Sequence, residues 1–113
     1  MMNDPPSVKK TVRVEDIDMS CEIFGEGCPL LLVMGLGGVK ELWSREFIAP
    51  LADRYAVIAF DSRGMGQTDL GVLPVGISRM AHDAAGLLAS LGIGRAHVLG
   101  YSMGGYVAQE LAL

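Results

Sequence analysis

The stretch Val98-Leu99-Gly100-Tyr101-Ser102-Met103-Gly104-Gly105 decides how this chain is read. An apolar run ends in Gly-x-Ser-x-Gly, and a helical pattern begins at once. That order predicts a strand, a sharp turn and a helix, with Ser102 in a strained backbone conformation and its Oγ exposed above a sheet. A side chain at Gly100 or Gly104 would crowd such a turn. The N–H groups that open the helix are free to face an anion, and the helix dipole favours negative charge there. Ser102 is therefore a candidate nucleophile, and the N–H of Met103 a candidate oxyanion donor. The five residues alone also fit an incidental serine in a glycine-rich turn. Their placement between a strand and a helix favours the chemical reading.

Upstream, Leu30-Leu31-Leu32-Val33-Met34 is continuously apolar, as a strand covered on both faces would be. It runs into Gly35-Leu36-Gly37-Gly38. A helical stretch is expected next, with Leu42, Trp43, Phe47, Ile48 and Leu51 inward and Lys40, Glu41, Arg45 and Glu46 toward water. Ala56 to Phe60 reads as a second buried strand, followed by the glycine-punctuated loop Asp61-Ser62-Arg63-Gly64-Met65-Gly66-Gln67-Thr68-Asp69. Apolar positions from Ile77 to Leu91 fall at helical spacing, and Gly92 stands where a helix stops. Ala96 to Leu99 is the third buried strand.

Nearer the start, Val8–Asp16 and Met19–Phe24 alternate in part and are expected to pair as an antiparallel edge. Strands and helices otherwise alternate, so the fold class is α/β with a mainly parallel sheet and flanking helices. Residues 1–7 read as a flexible leader, and 8–113 as the incomplete N-terminal part of one domain. The helix after Met103 stops on Leu111-Ala112-Leu113 without a glycine, a proline or a cationic residue, which supports that expectation.

The chain has 113 residues, half of them hydrophobic, and a formal net charge of −4. No basic patch supports nucleic-acid binding. No apolar run reaches the ~20 residues that span a bilayer. Met1 to Pro6 lacks the layout of a signal peptide, so the expected compartment is the cytoplasm, with no membrane partner. Cys21 and Cys28 read as free thiols. Their spacing matches no common zinc pattern, and neither metal nor cofactor is expected.

Three motifs in order now point to a family. Met34-Gly35-Leu36-Gly37-Gly38 follows one strand, Asp61-x-Arg63-Gly64-x-Gly66-x-Thr68 the next, and Gly100-Tyr101-Ser102-Met103-Gly104-Gly105 the third. In open α/β sheets, ligands bind at such strand ends. In this order the chain resembles the α/β-hydrolase superfamily over nearly its whole length. The resemblance implies Ser102 as nucleophile, with the backbone N–H groups of Leu36 and Met103 as the oxyanion hole. It makes Gly35, Gly37, Gly100, Tyr101, Gly104, Asp61 and Arg63 residues that shape the site. For Arg63 the favoured role is structural, pairing with nearby carboxylates or carbonyls. Met34 departs from the commoner pattern, in which a histidine often precedes the glycine. A serine nucleophile implies ester, thioester or lactone-type acyl substrates. It argues against the dehalogenase and epoxide-hydrolase branches, which use an aspartate there.

Such a serine needs a general base and an orienting carboxylate. In this fold they follow the serine along the chain, acid before histidine. After Ser102 come only eleven residues, with Glu110 the single acid and no histidine. His82 lies off the apolar stripe of its helix. His97 opens the strand that leads to Ser102, about 15 Å away at ~3.3 Å per residue. Base and acid are therefore expected from a complementing C-terminal segment or a second chain. That partner would also cover the sheet edge left bare beside the third buried strand. The competing class is a non-catalytic binding or receptor module on the same fold, or an inactive fragment. A nucleotide-binding reading of Gly35 to Lys40 fails for want of a Gly-Lys-Ser/Thr ending.

Overall fold

Leu30 to Val33 lies inside because it is apolar on both faces. In the computed structural model, which describes residues 5–35 and 37–112, it belongs to strand β3 (Cys28–Val33). Successive strand side chains point to opposite faces. Leu31 and Val33 accordingly enter one core, and Leu30 and Leu32 another.

The other strands are β1 (Ser7–Val14), β2 (Ile17–Phe24), β4 (Tyr55–Phe60) and β5 (His97–Gly100). One sheet runs in the order β1-β2-β4-β3-β5. The hairpin β1–β2 is antiparallel and forms the expected edge, and β2 also meets β4 antiparallel. The ladders β4–β3 and β3–β5 are parallel. The sheet is thus mixed, with its parallel portion where the three motifs lie. Among the described residues β5 pairs with β3 only, on its other side.

Helix α1 (Arg45–Ala52) covers the face of Leu30 and Leu32, with Ile48 buried against Phe24 and Val57. Helices α2 (Ile77–Ser90) and α3 (Met103–Ala112) cover the other face. There Met80, Ala81, Ala84, Leu87 and Val107 close over Met19, Leu31, Val33, Ile58 and Phe60. The α2 stop signal works through its backbone. Gly92 takes φ 75° and donates to the carbonyl of Ala89 at 3.0 Å, and Ile93 donates to that of Leu88 at 2.8 Å. These bonds satisfy carbonyls that the helix end would leave unpaired.

The stretch after β3 corrects three expectations. It is not one helix but a 3-10 turn at Lys40–Leu42 followed by α1. Ser44 caps α1, its Oγ accepting from the Phe47 N–H at 3.1 Å. The break puts Leu42 out of phase with the buried face, so it is 64% exposed, and Phe47 is 39% exposed. Lys40, expected in water, is 3% exposed. The expected leader also ends early. Ser7 already pairs with Phe24 in the sheet, and its Oγ donates to Glu22 at 2.7 Å. Residues 1–4 of that leader lie outside the described residues.

Candidate active site

Because β3, β4 and β5 run parallel, the segments that follow them gather at one end of the sheet. The turn after β5 carries Ser102. Ser102 has φ 58°, in the left-handed region. That conformation costs an L-residue roughly 1–2 kcal/mol, so the surroundings must hold it. The Tyr101 N–H donates to the Val33 carbonyl at 2.9 Å, extending the β3–β5 ladder into the turn. Gly104 donates to the Tyr101 carbonyl and Gly105 to that of Ser102, both at 2.9 Å. A Cβ on Gly104 would overlap the Val33 carbonyl oxygen, and one on Gly100 that of Gly104. Both glycines thus let α3 cross the sheet at backbone contact. Ser102 is left exposed. Met103 is the first residue of α3, so its N–H has no carbonyl within the helix to meet.

The loop after β3 lies flush with this turn. A Cβ on Gly35 would stand 3.2 Å from the Ser102 Cβ and 3.4 Å from the Met103 nitrogen. Gly38 donates to the Gly35 carbonyl at 3.0 Å, and Gly37 takes φ 78° between them. Leu36, the expected second oxyanion donor, lies outside the described residues. Met34, Gly35, Gly37, Leu42, Tyr101 and Ser102 line a shallow hollow of about 200 Å³. Trp43 stands edge-on to Tyr101 with ring centres 6.4 Å apart and stacks on Phe47 at 5.4 Å. An aromatic wall therefore adjoins the serine. A larger hollow, about 650 Å³, lies near Pro6, Ile23, Gly25 and Ala52. It sits at the opposite end of the sheet, away from Ser102.

Asp61 and Arg63 follow β4, and both are buried. The Asp61 carboxylate accepts from the Lys40 backbone N–H at 2.7 Å, the Lys40 ammonium at 3.0 Å and the Gln67 N–H at 3.0 Å. Burial works against the Lys40 charge, but hydrogen bonds to Glu41 and Asp61 outweigh it and raise its pKa above the ordinary 10.5. Arg63 donates to Asp16 at 2.7 and 2.8 Å, to Asp83 at 2.9 Å twice, and to the Leu70 carbonyl at 3.2 Å. These bonds push the guanidinium pKa up and hold the Asp16 carboxyl well below the usual carboxylate range. Arg63 therefore fastens the loop after β4 to the β1–β2 turn and to α2. The same loop is tied to β2, where Ser20 donates its N–H to Thr68 Oγ1 at 2.9 Å.

Neither histidine stands at the serine. His82 is exposed, with Nδ1 3.0 Å from the Ser78 carbonyl oxygen, and shares a hollow with Glu110 two turns along α3. His97 begins β5, at the far end from the turn, with its ring edge-on to Tyr55. Among the described residues no group of three or more His, Cys, Asp or Glu side chains could hold a metal ion. No described helix is long and apolar enough to cross a membrane.

Sequence reasoning missed Lys40. The available signal was Asp61, an acid at the end of a buried strand, which needs donors wherever it sits.

A serine turn between a parallel strand and a helix, flanked by a glycine loop, defines a class of protein. The family described as the alpha/beta hydrolase fold matches residues 29–113, and the chain belongs to it. It is similar to the protein of Azorhizobium caulinodans named "Putative carbamate hydrolase RutD", with 42% identity over 98 residues, 87% of this chain and 37% of that protein. It is 33% identical over 114 residues to a fluoroacetate dehalogenase from a Burkholderia species, covering 93% of this chain and 36% of that one. The crystal structure of a membrane phospholipase A, a bacterial virulence factor, superposes with a TM-score of 0.88 at 30% identity, over 94% of this chain and 35% of that one. The chain thus spans little more than a third of the length of these proteins.

Proposed function

We propose that this chain supplies the nucleophile half of a serine-dependent α/β-hydrolase acting on ester, thioester or lactone-type substrates. The observation that carries the reading is the backbone of Ser102, at φ 58° on a turn that leaves it exposed beside the first N–H of α3. A strained serine in that place is worth its cost if it reacts.

In this mechanism a histidine takes the proton of the Ser102 hydroxyl as Oγ attacks the substrate carbonyl carbon. The carbonyl electron pair moves onto oxygen, where the N–H groups of Met103 and Leu36 receive it. As the tetrahedral centre collapses, the bond to the leaving oxygen or sulfur breaks, and the histidine returns the proton to it. Water, deprotonated by the same histidine, then attacks the acyl carbon; the bond to Ser102 Oγ breaks, the histidine returns the proton to Oγ, and the free acid leaves. The histidine and its acid come from a complementing C-terminal segment or a second chain. An oxyanion hole without the base retains only about 10³–10⁴ over water, so residues 1–113 alone are expected to be nearly inert. The dehalogenase among the relatives does not set the chemistry here, because the nucleophile position holds a serine and not the aspartate of that branch.

The test uses the complete protein that contains these residues. A fluorophosphonate probe is expected to label Ser102, as located by peptide mapping, and Ser102→Ala to abolish both labelling and p-nitrophenyl ester turnover. Turnover retained in Ser102→Ala overturns the assignment. Saturable ligand binding with no labelling of Ser102 turns the reading to a receptor module.

A further inference from the structure

Resting on the Ser102 reading above, we propose that Lys40 and Asp61 form a positioning pair for the oxyanion-binding loop. Of that loop the structure describes Met34, Gly35 and Gly37 to Lys40. Its first half is set by β3 and by Gly35 lying against the serine turn. Its second half ends on Lys40, which one carboxylate grips twice. Asp61 Oδ1 takes the Lys40 backbone N–H at 2.7 Å, and Oδ2 takes the ammonium at 3.0 Å. The ammonium also donates to Gln67 Oε1 at 3.1 Å and meets Glu41 at 3.0 Å. Asp61 is itself fixed, since its N–H continues the sheet to the Ser20 carbonyl at 3.0 Å. Both ends of the loop are therefore anchored to neighbouring parallel strands.

Stability alone is a weak reason for this arrangement. Lys40 is 3% exposed and Asp61 fully buried, and a buried ion pair is often no more stable than apolar side chains of the same size. Its several directed hydrogen bonds do fix a geometry, and geometry is what an oxyanion donor depends on. A backbone N–H stabilises the tetrahedral intermediate only if it is aimed before the charge develops. A displacement of about 1 Å at such a site costs on the order of 100-fold in rate. Lys40 and Asp61 are positioning residues here, acting through the loop backbone.

The experiment compares Lys40→Met and the neutral double variant Lys40→Met/Asp61→Asn with the parent and with Ser102→Ala, all in the complete protein. The double variant leaves no unpaired buried charge, so it stays informative if the single change fails to fold. Rates are normalised to active sites titrated with the fluorophosphonate probe. Expected are kcat values about 10- to 100-fold lower with KM within about 2-fold, and affinity for an aryl boronate, a tetrahedral mimic, falling by the same factor as kcat/KM. Parent-like kcat per active site and boronate affinity, whatever happens to the melting temperature, overturn the positioning role and leave the nucleophile standing. Full turnover in Ser102→Ala overturns the nucleophile reading and this inference with it.

Discussion

Arg63 holds Asp83 through two parallel hydrogen bonds of 2.9 Å, from Nε to Oδ2 and from Nη2 to Oδ1. Its other edge grips Asp16 the same way, at 2.7 and 2.8 Å. One fully buried guanidinium thus joins the β1–β2 turn, the loop after β4 and helix α2. Removing it strands two carboxylates, one of them buried. Arg63→Met is expected to destabilise the protein by about 3–5 kcal/mol, the range for breaking a buried pair from one side. Urea unfolding measures it. A loss below 1 kcal/mol would mean that water replaces the guanidinium freely.

The same cluster sets an acid limit. Asp16 titrates below its ordinary 3.8, first because of its hydrogen bonds to Arg63. A folded-state pKa that is depressed stabilises above the unfolded value and loses that contribution as pH falls through the folded value. Unfolding midpoints are therefore expected to hold down to about pH 4 and to fall progressively below it. Asp16→Asn should flatten that slope. An unchanged slope in the variant would place the acid sensitivity elsewhere.

The turn at Ser102 makes an unusual mutational prediction. Alanine there keeps the left-handed penalty, whereas glycine does not feel it. Ser102→Gly is expected to be more stable than Ser102→Ala by about 1 kcal/mol, although glycine ordinarily weakens folded structure. Paired thermal unfolding of the two variants decides it. Equal stabilities would show that the turn relaxes out of the left-handed region once the hydroxyl is gone.

Gly104 allows no such exchange. Its missing side chain is where α3 meets the Val33 backbone carbonyl. Gly104→Ala is expected to push the helix off the strand, at about 1–3 kcal/mol in stability. Fluorophosphonate labelling of Ser102 should slow in step. A fully stable variant with parent labelling would show that the contact yields cheaply.

The two cysteines should differ in reactivity. Cys28 is exposed, while Cys21 is buried and its thiol pKa is raised by that burial. The thiolate is the reactive form. Iodoacetamide on the native protein is expected to modify Cys28 at least about 10-fold faster than Cys21, and both alike in denaturant. Peptide mapping reads the ratio.

Much of the fold was legible in the residues because its signals are local. The unbroken apolar run of β3 announces two covered faces. The Gly-x-Ser-x-Gly spacing announces a turn whose left-handed residue needs small neighbours, and the backbone at Ser102, Gly100 and Gly104 has that form. Gly92 announces the end of α2 and terminates it. The α/β order of strands and helices follows from the same periodicities.

What escaped was settled across the chain. Lys40 sits among charged neighbours and reads as a solvated residue. It is drawn inside by Asp61, twenty-one positions away, once β3 and β4 lie side by side. Leu42 reads as inward, but the cap at Ser44 starts a new helix and leaves it out of phase with the buried face; Phe47, also read as inward, lies at the exposed margin of α1. The need of Arg63 for carboxylates was visible in its type. That they are Asp16 and Asp83, forty-seven and twenty positions distant, depended on the β1–β2 turn and α2 converging over the loop. The sequence by itself determined most of the elements and the left-handed turn at Ser102, because backbone sterics and side-chain period act over a few residues. Only the tertiary structure decided which charges are buried and paired, because burial depends on what distant segments bring, and an ion leaves water only where its partners already stand.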